Sequence, residues 1–339
     1  MTAATVPITE IETAFACPAC RGAVSSAPNA YRCVECGRQF PVVLGVPDFR
    51  IEPDPWIGLE DDREKARRLE SMTNGASLEA MVRAYWSMTP GTPAWLADRF
   101  TDHVLSAAER SRAWLADLNS KHPAVPGAWL DVGTGTGDLA VVAAEQGRSV
   151  VGIDVAVRWL VVARRRAELA GVGAQFICCN AEHLPFPSGR FARVVSLGTL
   201  EHCRDSARAV VEVRRVLRAG GDVNVRTVNR FTLLREPHVG LWGVGFLPRR
   251  WANSYVRALS GQGYEHHRPL SARELARLFE RAGLRDVEVG AASLLPTDRN
   301  RLGRLAAAAP WYDRARGTPV VRRALAWAAP LLEARGVAR

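Results

Sequence analysis

The sequence predicts an α/β protein: a mostly parallel sheet covered by helices on both faces, with a small cysteine module in front and a helical extension behind. Three observations predict it. Short apolar runs alternate with helical segments from residue 128 to about 290, the pattern of strands joined by crossover helices. A glycine-rich turn at 133–137 directly follows the first of these runs. Four of the seven cysteines form two CxxC pairs within the first 36 residues.

Taken in order, residues 15–50 hold the cysteine module, and 51–58 (IEPDPWIG), with two prolines, read as a linker. Residues 60–127 form a helical cap. DDREKARRLESM, SLEAMVRAYWSM and PAWLADRFTDHVLSAAERSRAWLADL carry apolar residues at three- and four-residue spacing, and HPAVPG (122–127) ends the pattern. The main domain covers 128–296. Its strand candidates are AWLDV (128–132), SVVGI (149–153), AQFICC (174–179), ARVVSL (192–197), GDVNVRT (221–227) and GLRDVEVG (283–290), with a seventh expected near 291–296. Helices at about 137–147, 156–171, 204–218 and 271–283 separate or follow them. Residues 228–270, rich in aromatics, histidine, glycine and proline, interrupt the alternation. An insertion of that length reads as a lid or binding wall. Residues 297–339 read as a basic helical tail.

Composition narrows the function classes. The chain has 339 residues, is 47% hydrophobic and carries a formal net charge of +10. A basic chain invites a nucleic-acid reading. Against it, lysine occurs only at Lys65 and Lys121, and the first 60 residues hold four arginines against seven acidic residues. The arginine excess lies at the C-terminal end, where 301–339 hold eight arginines against Asp313 and Glu333. No apolar run reaches the ~18 residues of a membrane span, and the first residues do not read as a secretory signal. The expected location is cytoplasmic. Arginines interleaved with Trp311, Trp327 and leucines in the tail would also suit peripheral contact with an anionic membrane surface; the rival reading packs these helices on the main domain.

The chemistry centres on LDVGTGTGDLA (130–140) and VVGIDVA (150–156). Gly133, Gly135 and Gly137 let the backbone turn tightly against a ligand beside a helix N-terminus. Asp131 precedes the turn, and Asp154 closes the next strand 17 residues after Gly137. A carboxylate there can accept bonds from both ribose hydroxyls of a nucleoside. A dinucleotide is the rival ligand. Its fingerprint needs Gly or Ala where this chain has Asp138, and an acid beside the loop repels a pyrophosphate. The same acids favour a ligand carrying ammonium and sulfonium charge.

With DVGTGTGD (131–138), GID (152–154), NAEHLPFPSGRFARV (180–194) and SLGTLEH (196–202) in order, followed by RRVLRAGG (214–221), the chain resembles the class I S-adenosylmethionine-dependent methyltransferases, in the group of the ubiquinone/menaquinone methyltransferases. The resemblance covers about 85–290. It implies a Rossmann-like sheet and S-adenosyl-L-methionine as co-substrate. The methionine part would be held by Asp131, Gly133, Gly135 and Gly137, the ribose by Asp154, and the adenine would be lined by Asn180, Ala181 and Glu182. Asn180 stands where the family usually has Asp; its amide oxygen can still accept a bond from the adenine amino group. Ala192 stands where an Asp is usual.

Methyl transfer needs alignment more than a universal catalytic group. Where the acceptor loses a proton, His202 and His238 are the candidate bases, with Glu201 and Glu236 beside them in sequence. Glu201-His202 ordering its loop is the plainer alternative. His266 and His267 read as surface residues. Trp242, Trp251, Tyr255 and Tyr264 would wall an apolar acceptor pocket or pack the insertion. Cys178, Cys179 and Cys203 read as inert, buried thiols.

Cys17 and Cys20, then twelve residues, then Cys33 and Cys36 form two knuckles that complete a tetrahedron. The expected ligand is one structural Zn2+, and Gly37 suits the bend after the second knuckle. The tail FPVVLGVPDF (40–49) resembles zinc ribbons fused to or partnered with methyltransferases, among them an rRNA guanine methyltransferase family whose ribbon helps recognise RNA. The acidic ribbon here argues for docking or architecture instead. The leading expectation is methyl transfer to a small-molecule or lipid-like acceptor. An rRNA or tRNA base methyltransferase and a non-catalytic S-adenosylmethionine-binding scaffold are the alternatives. The acceptor atom and the oligomeric state stay open.

Overall fold

The structure, a computed structural model, describes residues 15–301 and 307–339. The fold is mixed α/β, with a mostly parallel main sheet flanked by helices. The chain divides into two compact units, Met1–Ala192 and Arg193–Arg339.

In the first unit, β1 (Val24–Ala27), β2 (Ala30–Cys33), β3 (Gln39–Val43) and β4 (Val46–Pro47) form a small antiparallel sheet in sequence order. A sheet this small cannot bury its own core. It packs instead on the neighbouring α/β core through Phe15, Tyr31, Phe40, Phe49 and Phe186, with ring centroids 4.8–6.2 Å apart. Its tail pairs with the main strands, Phe49 N–H donating to Cys178 O at 2.7 Å.

Residues 51–58 are not a free linker. Asp54 is buried and ion-paired to Arg158 at 2.9 Å, and the peptide groups of Ile51 and Glu52 bond to Asn180. The two prolines suggest a linker, but the polar groups around them bind inward.

Four helices follow: α1 (Leu59–Thr73), α2 (Leu78–Ser87), α3 (Ala94–Leu105) and α4 (Ala107–Lys121). Sequence periodicity suggests one helix through 93–118. The structure divides it at Ser106, whose hydroxyl donates to Asp102 O at 2.6 Å while Arg110 donates to that hydroxyl at 2.6 Å. A serine that bonds the preceding turn competes with helix continuation.

Next come β5 (Trp129–Val132), α5 (Asp138–Glu145), β6 (Val150–Asp154), α6 (Val157–Ala170) and β7 (Gln175–Cys178). The three strands are parallel and in the order β5–β6–β7. Their near-continuous apolar sequences fit strands covered on both faces. The unit boundary falls inside β8 (Phe191–Leu197), where Ala192 N–H donates to Ala128 O at 2.8 Å.

In the second unit, a 3-10 turn (Leu200–His202) leads to α7 (Ser206–Val216), capped by Asp205, and to β9 (Leu217–Val228). The insertion holds α8 (Arg249–Ser260) and its own small core of Val244, Ala252, Val256 and Tyr264. A capping box at Ser271 and Glu274 starts α9 (Ala272–Arg281), followed by β10 (Leu284–Ala291), α10 (Pro296–Arg301), α11 (Ala309–Arg316), α12 (Pro319–Leu325) and β11 (Leu331–Ala338).

The seventh strand is therefore β11, not residues 291–296, and the segment expected as a helical tail ends in a strand. β11 lies between β9 and β10, antiparallel to both, with Ala334 opposite Val225 and Val289. Leu332, Ala334, Gly336 and Ala338 face inward in strict alternation. Arg335 and Glu333 on the other face obscure that period in the sequence. Among the described residues no helix is long and apolar enough to cross a membrane.

The strand position expected to carry an Asp has Ala192, and the buried charge is one residue on. Arg193, fully buried, donates two bonds to Asp222, each 2.8 Å.

Candidate functional site

β5 and β6 position the glycine turn. Gly133 and Thr134 N–H groups both donate to Ile153 O at 2.8 Å, which folds the turn back over the neighbouring strand. Gly135, at φ +52°, donates its N–H to Asp154 Oδ2 at 2.9 Å, and Ala156 N–H donates to Oδ1 at 2.9 Å. These bonds aim Asp154 and leave its remaining lone pairs for a ligand. At Gly137 a Cβ would meet Ala163 Cβ at 2.6 Å, so the close approach of turn and α6 requires glycine. Arg166, invisible as a site residue in the sequence, braces the turn by donating to Thr136 O at 2.8 Å.

The turn is acid-lined. Asp131 is buried, and burial, with Asp138 and Asp154 nearby, pushes its carboxyl up to about 8 against the bond it accepts from Thr134 at 2.6 Å. Burial likewise raises Asp154, although the N–H groups of Ala156 and Gly135 oppose it. Asp138 also docks α4, accepting from Ser111 at 2.6 Å. Such a turn favours a cationic ligand and disfavours a pyrophosphate.

Asn180, Ala181 and Glu182 follow β7 in the chain. The Asn180 amide oxygen accepts from Ile51 and Glu52 N–H at 3.1 and 3.2 Å, and its Nδ2 donates to Glu52 O at 3.1 Å. Both acceptor positions of that oxygen are used, so this amide ties the segment after the cysteine module to the end of β7. Below it lies a buried ion network that sequence reasoning missed. Arg50 bonds Asp48 (2.7 Å), Asp62 (2.6 Å) and Val155 O (2.9 Å); Asp62 also accepts from Arg158 and from Val157 N–H at the start of α6. Burial alone would raise Asp48, but Arg50 and Arg63 hold it below the usual carboxylate range. No local spacing signals partners so far apart in sequence.

Cys17, Cys20, Cys33 and Cys36 converge, with Sγ atoms within 4.8 Å of one another and the pairs Cys17–Cys36 and Cys20–Cys33 at 3.7 and 3.4 Å. Metal–sulfur bonds of ~2.3 Å set the tetrahedron's edge at about 3.8 Å, so the four thiols fit one zinc ion. Gly37 has φ +71° at the bend expected of it.

In the second unit, His202, His238 and His267 form a cluster, with one ring nitrogen of each within 4.8 Å of the others. His267 is half-buried here, not a surface residue as its sequence suggests, and Tyr264 stacks on it at 5.3 Å. The neighbouring His266 is exposed. Burial and the adjacent His238 and His202 lower His267 to about 4. For His238 burial works downward, but Glu236, 2.5 Å from Nδ1, overrides it and raises the ring. Glu201 is buried, raised by that burial, and bonded to Thr227 Oγ1 at 2.7 Å. A cavity of about 590 Å³ adjoins, lined by Arg204, Arg230, Arg249, Tyr264, His267 and Leu270 among others. Tyr264 is buried and lines this cavity, whereas Trp242 and Trp251 are exposed and are not among its lining residues. Cys178, Cys179 and Cys203 are buried.

A parallel α/β sheet, a glycine turn and a carboxylate closing the second strand define a nucleoside-binding α/β domain. A family model described as a methyltransferase domain matches residues 130–225. The chain is similar to a demethylmenaquinone methyltransferase of Thermus thermophilus, 43% identical over 27% of this chain and 43% of that protein. It is also similar to a ubiquinone/menaquinone biosynthesis C-methyltransferase of Ralstonia nicotianae, 32% identical over 47% of this chain and 68% of the relative. A ubiquinone biosynthesis O-methyltransferase of Dinoroseobacter shibae is 30% identical over 63% of this chain and 82% of its own. The chain thus spans under half of the first relative's length and more than two thirds of the other two. The chain belongs to the class I S-adenosylmethionine-dependent methyltransferase family.

Proposed function

We propose that this chain transfers the methyl group of S-adenosylmethionine to a small, lipid-like acceptor of the quinol class. The observation that carries the reading is the preformed acidic turn. Gly135 and Ala156 fix the Asp154 carboxylate, and Asp131 lies beneath in a setting that awaits a cation. When bound, the co-substrate supplies a sulfonium-activated methyl group, so the donor needs no activation by the protein. Asp154 would hold the ribose hydroxyls. The turn from Gly133 to Gly137 would lie along the methionine part, with Asp131 balancing its charge. Ala181 and Glu182 would line the adenine, and Asn180 would act by positioning Ile51 and Glu52 beside it. The relatives' names, which specify quinone-pathway methyl transfer, support the acceptor class.

Cys17, Cys20, Cys33 and Cys36 would hold structural zinc. Four thiolates fill the coordination sphere, so the ion would contribute folding free energy rather than chemistry, about 10–16 kcal/mol in comparable modules.

The test is calorimetric titration with S-adenosylmethionine and S-adenosylhomocysteine, followed by incubation with methyl-labelled co-substrate and fractionated extract. Wild type should bind both, Asp154→Ala should bind at least tenfold more weakly, and label should enter the organic-soluble fraction. Absence of binding by folded wild type overturns the reading; label entering RNA overturns the acceptor class.

A further inference from the structure

We propose that His202, His238 and His267 form a second metal site, separate from the four cysteines, that takes a divalent transition-metal ion of the zinc type. The three imidazoles come from three separate segments: the 3-10 turn after β8, a turn inside the insertion, and the stretch before α9. A proton acceptor needs one imidazole. Three that converge within 4.8 Å on each other's ring nitrogens supply a ligand set. Zinc–nitrogen bonds of 2.0–2.1 Å call for nitrogen–nitrogen edges of about 3.4 Å, which small side-chain rotations bring within reach.

The surroundings suit a cation. Glu236 is buried and held by N–H groups of His238 and Val239 at 2.8 and 3.0 Å. Its other oxygen lies 2.5 Å from His238 Nδ1. A carboxylate only accepts, so the proton sits on Nδ1 and the Nε2 lone pair is left to bind. This carboxylate–histidine pairing is how metal-ligating imidazoles are commonly oriented. Tyr264, with its backbone N–H held by Asn253 at 2.8 Å, stacks on His267 and fixes its plane. Glu201, buried next to His202 in the chain, adds a second nearby carboxylate to offset a dication. An all-imidazole set suits zinc, cobalt, nickel, copper or iron, whereas magnesium and calcium demand oxygen ligands. Three ligands leave a position open for an oxygen or nitrogen of a small ligand, and His267 also lines the adjoining cavity.

The test uses the full-length protein, with metal content per chain measured after equilibration with zinc and a weak chelator, and a parallel cobalt titration. Wild type should hold two ions. Cobalt should show one phase with near-ultraviolet thiolate charge transfer and a second that adds only visible ligand-field absorption. His238→Ala and the near-isosteric His202→Gln should lose the second phase, keep the first and hold one ion. Glu236→Gln should weaken the second phase by about 10–100-fold. Zinc should raise the wild-type melting temperature further than that of either histidine variant, which checks that the variants are folded. A single thiolate phase in wild type, or a second phase unchanged in both His202→Gln and His238→Ala, overturns the proposal.

Discussion

Asp131 carries an electrostatic cost that the nucleotide turn imposes. Its carboxyl titrates at about 8 in the folded chain because of burial, and near 4 once unfolded. Its pKa is raised by folding, so its stabilising contribution is full below the unfolded value and is lost as pH climbs toward the folded one. The free protein should therefore lose stability from this group between roughly pH 4 and 8. Urea denaturation across that range should give a flatter profile for Asp131→Asn than for wild type; parallel profiles would refute the assignment. The same residue scale shows what local text conveys. The cysteine spacing and the turn from Gly133 to Gly137 are legible because their partners are neighbours in sequence. Asn180 is legible as a position but not as a role, since the groups it holds, Ile51 and Glu52, lie far upstream. His267 was concealed by its exposed neighbour His266, and only the turn begun by Tyr264 brings it to His202 and His238.

At the scale of elements, buried charges join α1, α6 and the tail of the small antiparallel sheet. Arg50 sits between Asp48 and Asp62 with side chains that are fully buried. Taking away one member of such a set leaves the others uncompensated in a low-dielectric interior. Arg50→Met should cost about 3–5 kcal/mol, read from chemical denaturation; a loss under about 1 kcal/mol would mean that the network contributes little. Strands β5 to β7 are readable as apolar runs because both faces are covered. β11 is not, because only its alternate residues face inward and its outward face is charged. The division between α3 and α4 escapes periodicity for a different reason: one hydroxyl at Ser106 decides it.

For the molecule as a whole, the proposed zinc would link metal content to fold. The cysteine sheet has little core of its own, yet its tail supplies Phe49 to β7 and Ile51 and Glu52 to Asn180. Stripping metal from the cysteines should therefore be felt beyond them. Hydrogen exchange after chelation should show lost protection at 40–54 and also at 176–180, with a lowered melting temperature. Protection changes confined to 15–40 would mark the sheet as an independent appendage. The basic tail is likewise more than a charged extension, since Leu331–Ala338 are built into the second unit's strands.

That insertion of β11 has a consequence for any shortened version of the protein. β9 and β10 each spend one row of peptide hydrogen bonds on the segment between them. A truncation before Leu331 would leave two facing, unsatisfied edges separated by the width of a single strand. Such a slot is a template for extended chain; truncated material should associate through these bare edges, and a peptide of the missing segment, as their best-matched occupant, should suppress that association.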